Sequence, residues 1–220
     1  TATADLDKLS QQLAAIVDFG DRRLTGSMQL SARIAALDDD RIEFAGEGSI
    51  QRLVMGDPQA PLWAEEDLQT TWRAVGRGPS EAPWQTLESG RGELQSGDDE
   101  LTVELLGMVD WKSSDQPWPL RGELSGDLAR WRRRLQVFAE APAADLRGQA
   151  HAVATVRWSP AETTIDQATL AARSFVCITD GWSIEEPDLQ MTTRGVWSAE
   201  ARRWTTPESS LQGSFGRLVW

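Results

Sequence analysis

The sequence predicts a mostly β chain with two short helices, arranged as a tandem repeat of one helix plus about five long antiparallel strands. Three observations lead there. Alternation of apolar and polar residues dominates from residue 24 onward. Turn residues, not long helical runs, separate the alternating segments. The opening stretch also recurs: Asp5-Leu6, Leu13 and Leu24-Thr25-Gly26 return as Asp127-Leu128, Leu135 and Leu146-Arg147-Gly148, each 122 residues later.

Taken in order, residues 5–17 form the first helix, with Leu6, Leu9, Leu13 and Ile16 on one stripe and Asp5 as N-cap or first-turn acid. Phe19-Gly20 closes it. From Leu24 to Ile34 the period is two, with Leu24, Gly26, Met28, Leu30, Ala32 and Ile34 on one face. Asp38-Asp39-Asp40 reads as a solvated hairpin turn, since three acids lack the spacing of a calcium loop. A second strand covers 41–55, bent near Gly46 and Gly48. Pro58 and Pro61 mark a loop before a third strand near Leu68–Val75. A fourth covers Trp84–Ser96, and Gly97-Asp98-Asp99 turns into the alternation Leu101, Val103, Leu105, Gly107 and Val109. Residues 111–118 form a polar connection, and Leu120–Leu124 leads into the second helix.

That helix carries Leu128, Trp131, Leu135 and Phe138, the first stripe displaced by 122. Ala150, Ala152, Ala154, Val156 and Trp158 repeat the face of the first strand. Later columns follow with a drifting offset: Asp67-Leu68-Gln69 with Asp188-Leu189-Gln190, then Trp84 and Glu88-Ser89 with Trp204 and Glu208-Ser209. The units divide at 1–126 and 127–220. The second is expected to be truncated before any counterpart of the strand at 101–109, as in a piece of a longer chain.

Composition sets further bounds. A 40% hydrophobic content and 11 Trp fit a folded chain of 220 residues. A net charge of −12 and a pI near 4.6 repel phosphate backbones, so nucleic acid is excluded as an expected partner. The cluster Arg130, Arg132, Arg133 and Arg134 reads as a solvated helix face. Cys177, the single cysteine, is expected to be a buried, inert thiol. His151, the single histidine, is expected to pack or hydrogen-bond within its strand, with no metal and no cofactor implied. No apolar run approaches the length of a transmembrane segment.

No nucleophile elbow, phosphate loop or zinc motif is present, and Gly46–Ser49 and Gly76–Gly78 lack the dinucleotide fingerprint. Glu185-Glu186-Pro187-Asp188 and its echo Glu65-Glu66-Asp67 are the nearest approach to paired catalytic carboxylates. Their recurrence before a strand in both units favours a structural role, and no enzyme is expected. Strands joined by short turns demand an antiparallel meander. One helix per five strands cannot cover a face of it, so the uncovered face must curl on itself, meet another sheet or contact something apolar. Repeated end to end, such a meander is elongated and carries a continuous apolar groove.

The pattern DL-x(n)-L-x-G-x-x-x-L-x-A-x-I at 5–34, echoed as GDL-x(n)-L-x-G-x-A-x-A-x-A-x-V at 126–156, resembles the AsmA-like and TamB-like bacterial envelope proteins. These are relatives of the bridge-like lipid-transfer proteins. The resemblance covers both units and implies a curved, open half-pipe of β-units in the periplasm. It further implies an anchor in the inner membrane through a segment outside this stretch, and envelope partners at either membrane. The cargo it implies is a phospholipid or other acyl lipid. On this reading Leu30, Ile34, Val103, Leu105, Val109, Ala152, Ala154 and Val156 line the groove, although each also fits a closed core. The richness in Trp is a departure from that pattern. Two other readings stand beside it: a carbohydrate- or surface-binding β-module using Trp63, Trp182 and Trp197 as platforms, and a structural spacer.

Overall fold

A computed structural model describes residues 1–8, 24–57, 60–78, 84–110, 113, 116–136, 144–201 and 203–219. It is mostly β, an open antiparallel sheet of 13 strands with two short helices. The strands are β1 (Ala2–Asp5), β2 (Leu24–Ala36), β3 (Arg41–Asp57), β4 (Ala60–Arg77), β5 (Thr86–Ser96), β6 (Asp99–Leu105) and β7 (Val109–Asp110). They continue as β8 (Trp118–Asp127), β9 (Asp145–Trp158), β10 (Glu162–Ile178), β11 (Ser183–Ser198), β12 (Arg203–Gly213) and β13 (Gly216–Val219). Spatial order follows chain order, except that β7 folds back onto β5 and β6 pairs directly with β8. The ladder between β8 and β9 crosses residues 126 and 127 without a break in the sheet.

Several expectations need correcting. Pro61 lies inside a strand, not a loop, because β4 starts at Ala60. The alternation at 101–109 does not make one strand: β6 stops at Leu105, and Val109 pairs with Leu87 of β5. Residues 118–127 form a full strand, so six long strands, not five, separate the two helical starts. β13 pairs with β12 across a two-residue turn, as β6 does with β5, so this strand position does have a counterpart in the second half. The first helix begins at Leu6–Lys8, and Leu9, Leu13 and Ile16 lie outside the described residues. Asp38–Asp40 do form an exposed hairpin bend.

The second helix, Leu128–Leu135, starts where Asp127 turns its carboxylate back to accept the Arg130 N–H at 2.9 Å. Its buried side chains are Trp131 and Arg134, whereas Leu135 is 54% exposed. Phe138 lies outside the described residues. The predicted Leu stripe is thus rotated, for an electrostatic reason developed below.

Two small cores lie under the helical segments. One holds Leu6, Leu53 and Leu68 with Met28 and Ile50 packed against them. The other holds Ala150, Ala172 and Leu189 with Leu128 and Phe175 against them. Leu6/Leu128, Met28/Ala150, Ile50/Ala172 and Leu53/Phe175 each stand 122 residues apart. The backbone is also alike at one pair of positions. Gly26 and Gly148 have φ of 133° and 119°, opposite the left-handed residues Arg52 and Ser174 at 52° and 50°. A Cβ at Gly26 would fall 2.9 Å from the Gln51 carbonyl oxygen, and one at Gly148 2.7 Å from that of Arg173. Both glycines therefore serve one bulge geometry. Gly26→Ala and Gly148→Ala are each expected to cost about 1–3 kcal/mol, similar at the two sites, in urea denaturation. A loss at one site alone would show that the bulges are unrelated.

Candidate functional site

Alternation along antiparallel strands gives the sheet two chemically distinct faces. On one, Arg33, Arg73, Arg91 and Arg121 share a row, separated by Ala45 and Glu104. The neighbouring row holds Glu47, Glu93 and Glu123, with threonines between them. Arg91 Nε donates to Glu93 Oε1 at 2.8 Å, and the buried Glu43 accepts from Arg73 Nε at 2.6 Å. His151 also lies here, exposed, its Nε2 3.0 Å from Glu123 Oε1, which matches the hydrogen-bonded strand histidine expected. Cys177 is buried, as expected.

The other face is apolar across the sheet. From β1 to β8 one row passes through Ala2, Leu30, Gly48, Thr70, Leu94, Leu101 and Leu124. It continues through Ala152, Leu170, Met191, Leu211 and Leu218 to β13. Thr70 fits because its hydroxyl donates to the Glu93 carbonyl at 2.8 Å, leaving its methyl on the face. Two residues further along each strand is a row of small side chains: Gly92, Val103, Gly122, Ala154 and Ala168. Beyond it stand Leu105, Leu120, Val156 and Ile165. Leucine-rich rows thus flank a glycine- and alanine-rich floor, with roughly 13 Å between the flanking backbone rows. The space is real at Gly122, where an added Cβ would meet no heavy atom within 4 Å. Trp72 ends the small-residue row on one side, its ring lying over Gly46. On the other, Thr193 and Ser209 close it with a 2.8 Å hydroxyl hydrogen bond.

All eight residues named from the sequence fall on this face. Val103 and Ala154 form its floor, Ala152 one wall, and Leu105 and Val156 the other. Leu30 and Ile34 continue the two walls on β2, Ile34 being 69% exposed. Leu105 and Val109 are buried, Val109 completely, and are packing residues in this state. Sequence reasoning missed Gly92 and Gly122, whose signal is their place in strands alternating with Leu94 and Leu120. A separate cavity of ≈ 640 Å³ near β1 is lined largely by the opposite, polar face, including Thr3, Ser27, Gln29, Ser49 and Gln51.

The tryptophans named as platforms do not share a surface. Trp182 precedes β11 and Trp197 lies near its far end, and Trp63 is turned to donate to Glu65 Oε1 at 2.7 Å. A different row, Trp118, Trp158, Trp197 and Trp204, borders the apolar face at the end away from the helix, with Thr163 between Trp158 and Trp197. Trp118 and Trp158 meet edge to face at 80°, not as a flat platform.

The helix that bounds the face on the other side is fixed by charge. Arg134 is buried between two carboxylates: Nε to Glu65 Oε1 at 2.6 Å, Nη2 to Glu65 Oε2 at 3.1 Å, and Nη1 to Asp99 Oδ2 at 2.8 Å. Its guanidinium also lies 4.6 Å from the centre of the Trp131 ring. Asp99 takes two further hydrogen bonds, from the Asp127 N–H and Arg130 Nη2, both at 2.8 Å. Ser96 Oγ donates to Glu65 Oε2 at 2.6 Å. The expectation of a solvated arginine face fails here, because the carboxylates lie on the strands the helix covers. Burial pushes the Glu65 carboxyl up, but hydrogen bonds from Arg134, Ser96 and Trp63 outweigh it and hold it below its ordinary value.

Among the described residues no group of acids, histidines or cysteines has metal-binding geometry, and no helix is long and apolar enough to cross a membrane. Comparison of the chain with models of protein families, with curated proteins and with solved structures yields no match.

Removing the arginine alone leaves two carboxylates buried. Arg134→Met is expected to cost about 3–5 kcal/mol in urea denaturation, with part recovered by adding Glu65→Gln and Asp99→Asn. A loss below 1 kcal/mol would mean that the clasp is not a major support. Because the Glu65 carboxyl is depressed in the fold, its contribution is complete above the unfolded value near 4.3 and falls as pH drops through the lower folded value. Wild-type stability is therefore expected to decline on that acid limb more steeply than that of Glu65→Gln. Parallel pH profiles would remove Glu65 as a source of acid sensitivity.

Proposed function

We propose that this chain is a segment of a bacterial envelope lipid-transfer protein, built from tandem copies of one helix-plus-strands unit, whose apolar furrow holds phospholipid acyl chains. The observation that carries the reading is the apolar row from Ala2 to Leu218, unbroken across twelve strands. At the usual strand spacing it is roughly 50 Å long, far beyond what a short helix can cover. A face of this extent on a soluble surface marks an interaction site. Its chemistry is that of hydrocarbon: leucine walls, a small-residue floor, and hydroxyls turned away or paired. The headgroup would remain at the rim, in water. On this reading the sheet curves into a half-pipe, the working place is the periplasm, an inner-membrane anchor lies on another segment, and partner proteins at each membrane load and receive the lipid. The repeat reading draws on the matched cores and on the paired bulges at Gly26 and Gly148.

Native mass spectrometry of the purified chain is expected to show co-purifying phospholipid, and a fluorescent phospholipid should be taken up. A clean lipid-free monomer with no uptake would sink the proposal. Gly122→Phe fills the floor without an adverse backbone conformation and is expected to reduce uptake at least about tenfold, with the denaturation midpoint within about 1 kcal/mol of wild type. Val103→Asp and Ala154→Asp should do the same through the cost of an unpaired charge against hydrocarbon. Wild-type uptake by folded variants would place the lipid elsewhere.

A further inference from the structure

Glu186 occupies in the second half of the sheet the place that Glu65 holds in the first. Glu65 pairs in register with Leu53, and Glu186 with Phe175; Gln69 faces Gln95 as Gln190 faces Gln212. Glu65 is met by Arg134, which arrives on the helix following β8, the strand paired with β6. Glu186 is equally withdrawn from water, 7% exposed. It accepts one hydrogen bond, from the Ser214 N–H at 2.7 Å, and no cation faces it among the described residues. β13 stands in the place of β6, and its outer edge has no strand partner among the described residues. Leu218 and Val219 on that edge are 55% and 58% exposed.

A buried carboxylate is unfavourable unless a cation from another element meets it, and a strand edge accepts a further strand. We infer that β13 and Glu186 form a docking surface for a strand-then-helix element of the β8 kind, from a further copy of the unit. Its strand adds antiparallel to β13, and an arginine on its helix forks onto Glu186. One difference follows from the sequence: Gly216 stands where Asp99 does in the first half, so the guanidinium is held by Glu186 alone. The inference rests on the repeat reading above and is independent of whether the furrow carries lipid.

The test uses the full chain and a labelled peptide of residues 118–136, which reproduces β8 and its helix. Saturable binding by fluorescence anisotropy is expected. Glu186→Gln in the chain, or Arg134→Met in the peptide, should weaken it at least about tenfold, and Arg91→Ala in the chain should leave it unchanged. A second arm fuses the same segment after residue 220 through a flexible linker, so that an unstructured free peptide cannot mask docking. Glu186→Gln should then lower stability in the fused chain and leave the unfused chain unchanged or more stable. An identical effect of Glu186→Gln in both chains, or peptide binding indifferent to it, would overturn the inference. Lipid uptake measured on the same samples reports the furrow separately, and matched losses at Gly26 and Gly148 report the repeat.

Discussion

A guanidinium taken out of water is tolerated only where its donors find acceptors of the right shape and charge. Arg134 meets that demand across long chain distances, drawing on Glu65 from β4 and Asp99 from the start of β6. Those two residues belong to different hairpins, so a single side chain fixes the helix, the β4 strand and the β5–β6 turn relative to one another. Gly126 is part of the same joint, since a Cβ there would collide with the Asp99 carboxylate. Replacement of the trio by apolar residues is a conceivable solution for stability alone. Charge adds direction: the bidentate fork onto Glu65 sets where along the strands the helix comes to rest.

That placement decides what remains open. The helix rests over one end of the β8 and β9 strands, against the core of Ala150, Ala172 and Leu189. The rows beginning two residues further along receive no cover from it, and Gly122 faces empty space. The clasp fixes the helix at that end of the strands. The same electrostatic joint that fixes the helix therefore also sets which end of the apolar face it rests on.

Much of this was legible in the sequence, and the rest was hidden for definite reasons. The two-residue period of 24–34 and 146–158 signals both strand identity and facing, and Leu30, Ala152, Ala154 and Val156 do share one face of the sheet. The break before Val109 is hidden because alternation continues through Gly107 although the strand ends at Leu105; only the pairing of Val109 with Leu87 reveals it. Gly122 was overlooked because Leu120–Leu124 is too short to announce itself beside a helix start. Arg134 was misread because a run of four arginines in five positions looks solvated, and its carboxylates lie 69 and 35 residues away. A long-range ion pair leaves no periodic trace. The nearest local hint is Trp131, three residues earlier, on the same side of the helix.

An open apolar face must also be kept from consuming itself, and the opposite face shows how. Rows of arginine and glutamate tie neighbouring strands together through Arg33–Glu43 and Arg73–Glu43 while presenting charge to water. Each exposed pair contributes little. Their collective effect is to set register, since a slip of one residue would carry an arginine row into the leucine furrow and every leucine into solvent. The net charge of −12 adds mutual repulsion between molecules. A sheet with one face so thoroughly committed to water can afford an apolar face on the other side. Its two faces are therefore coupled: the charged rows fix the alternation that keeps the leucines together on the other face.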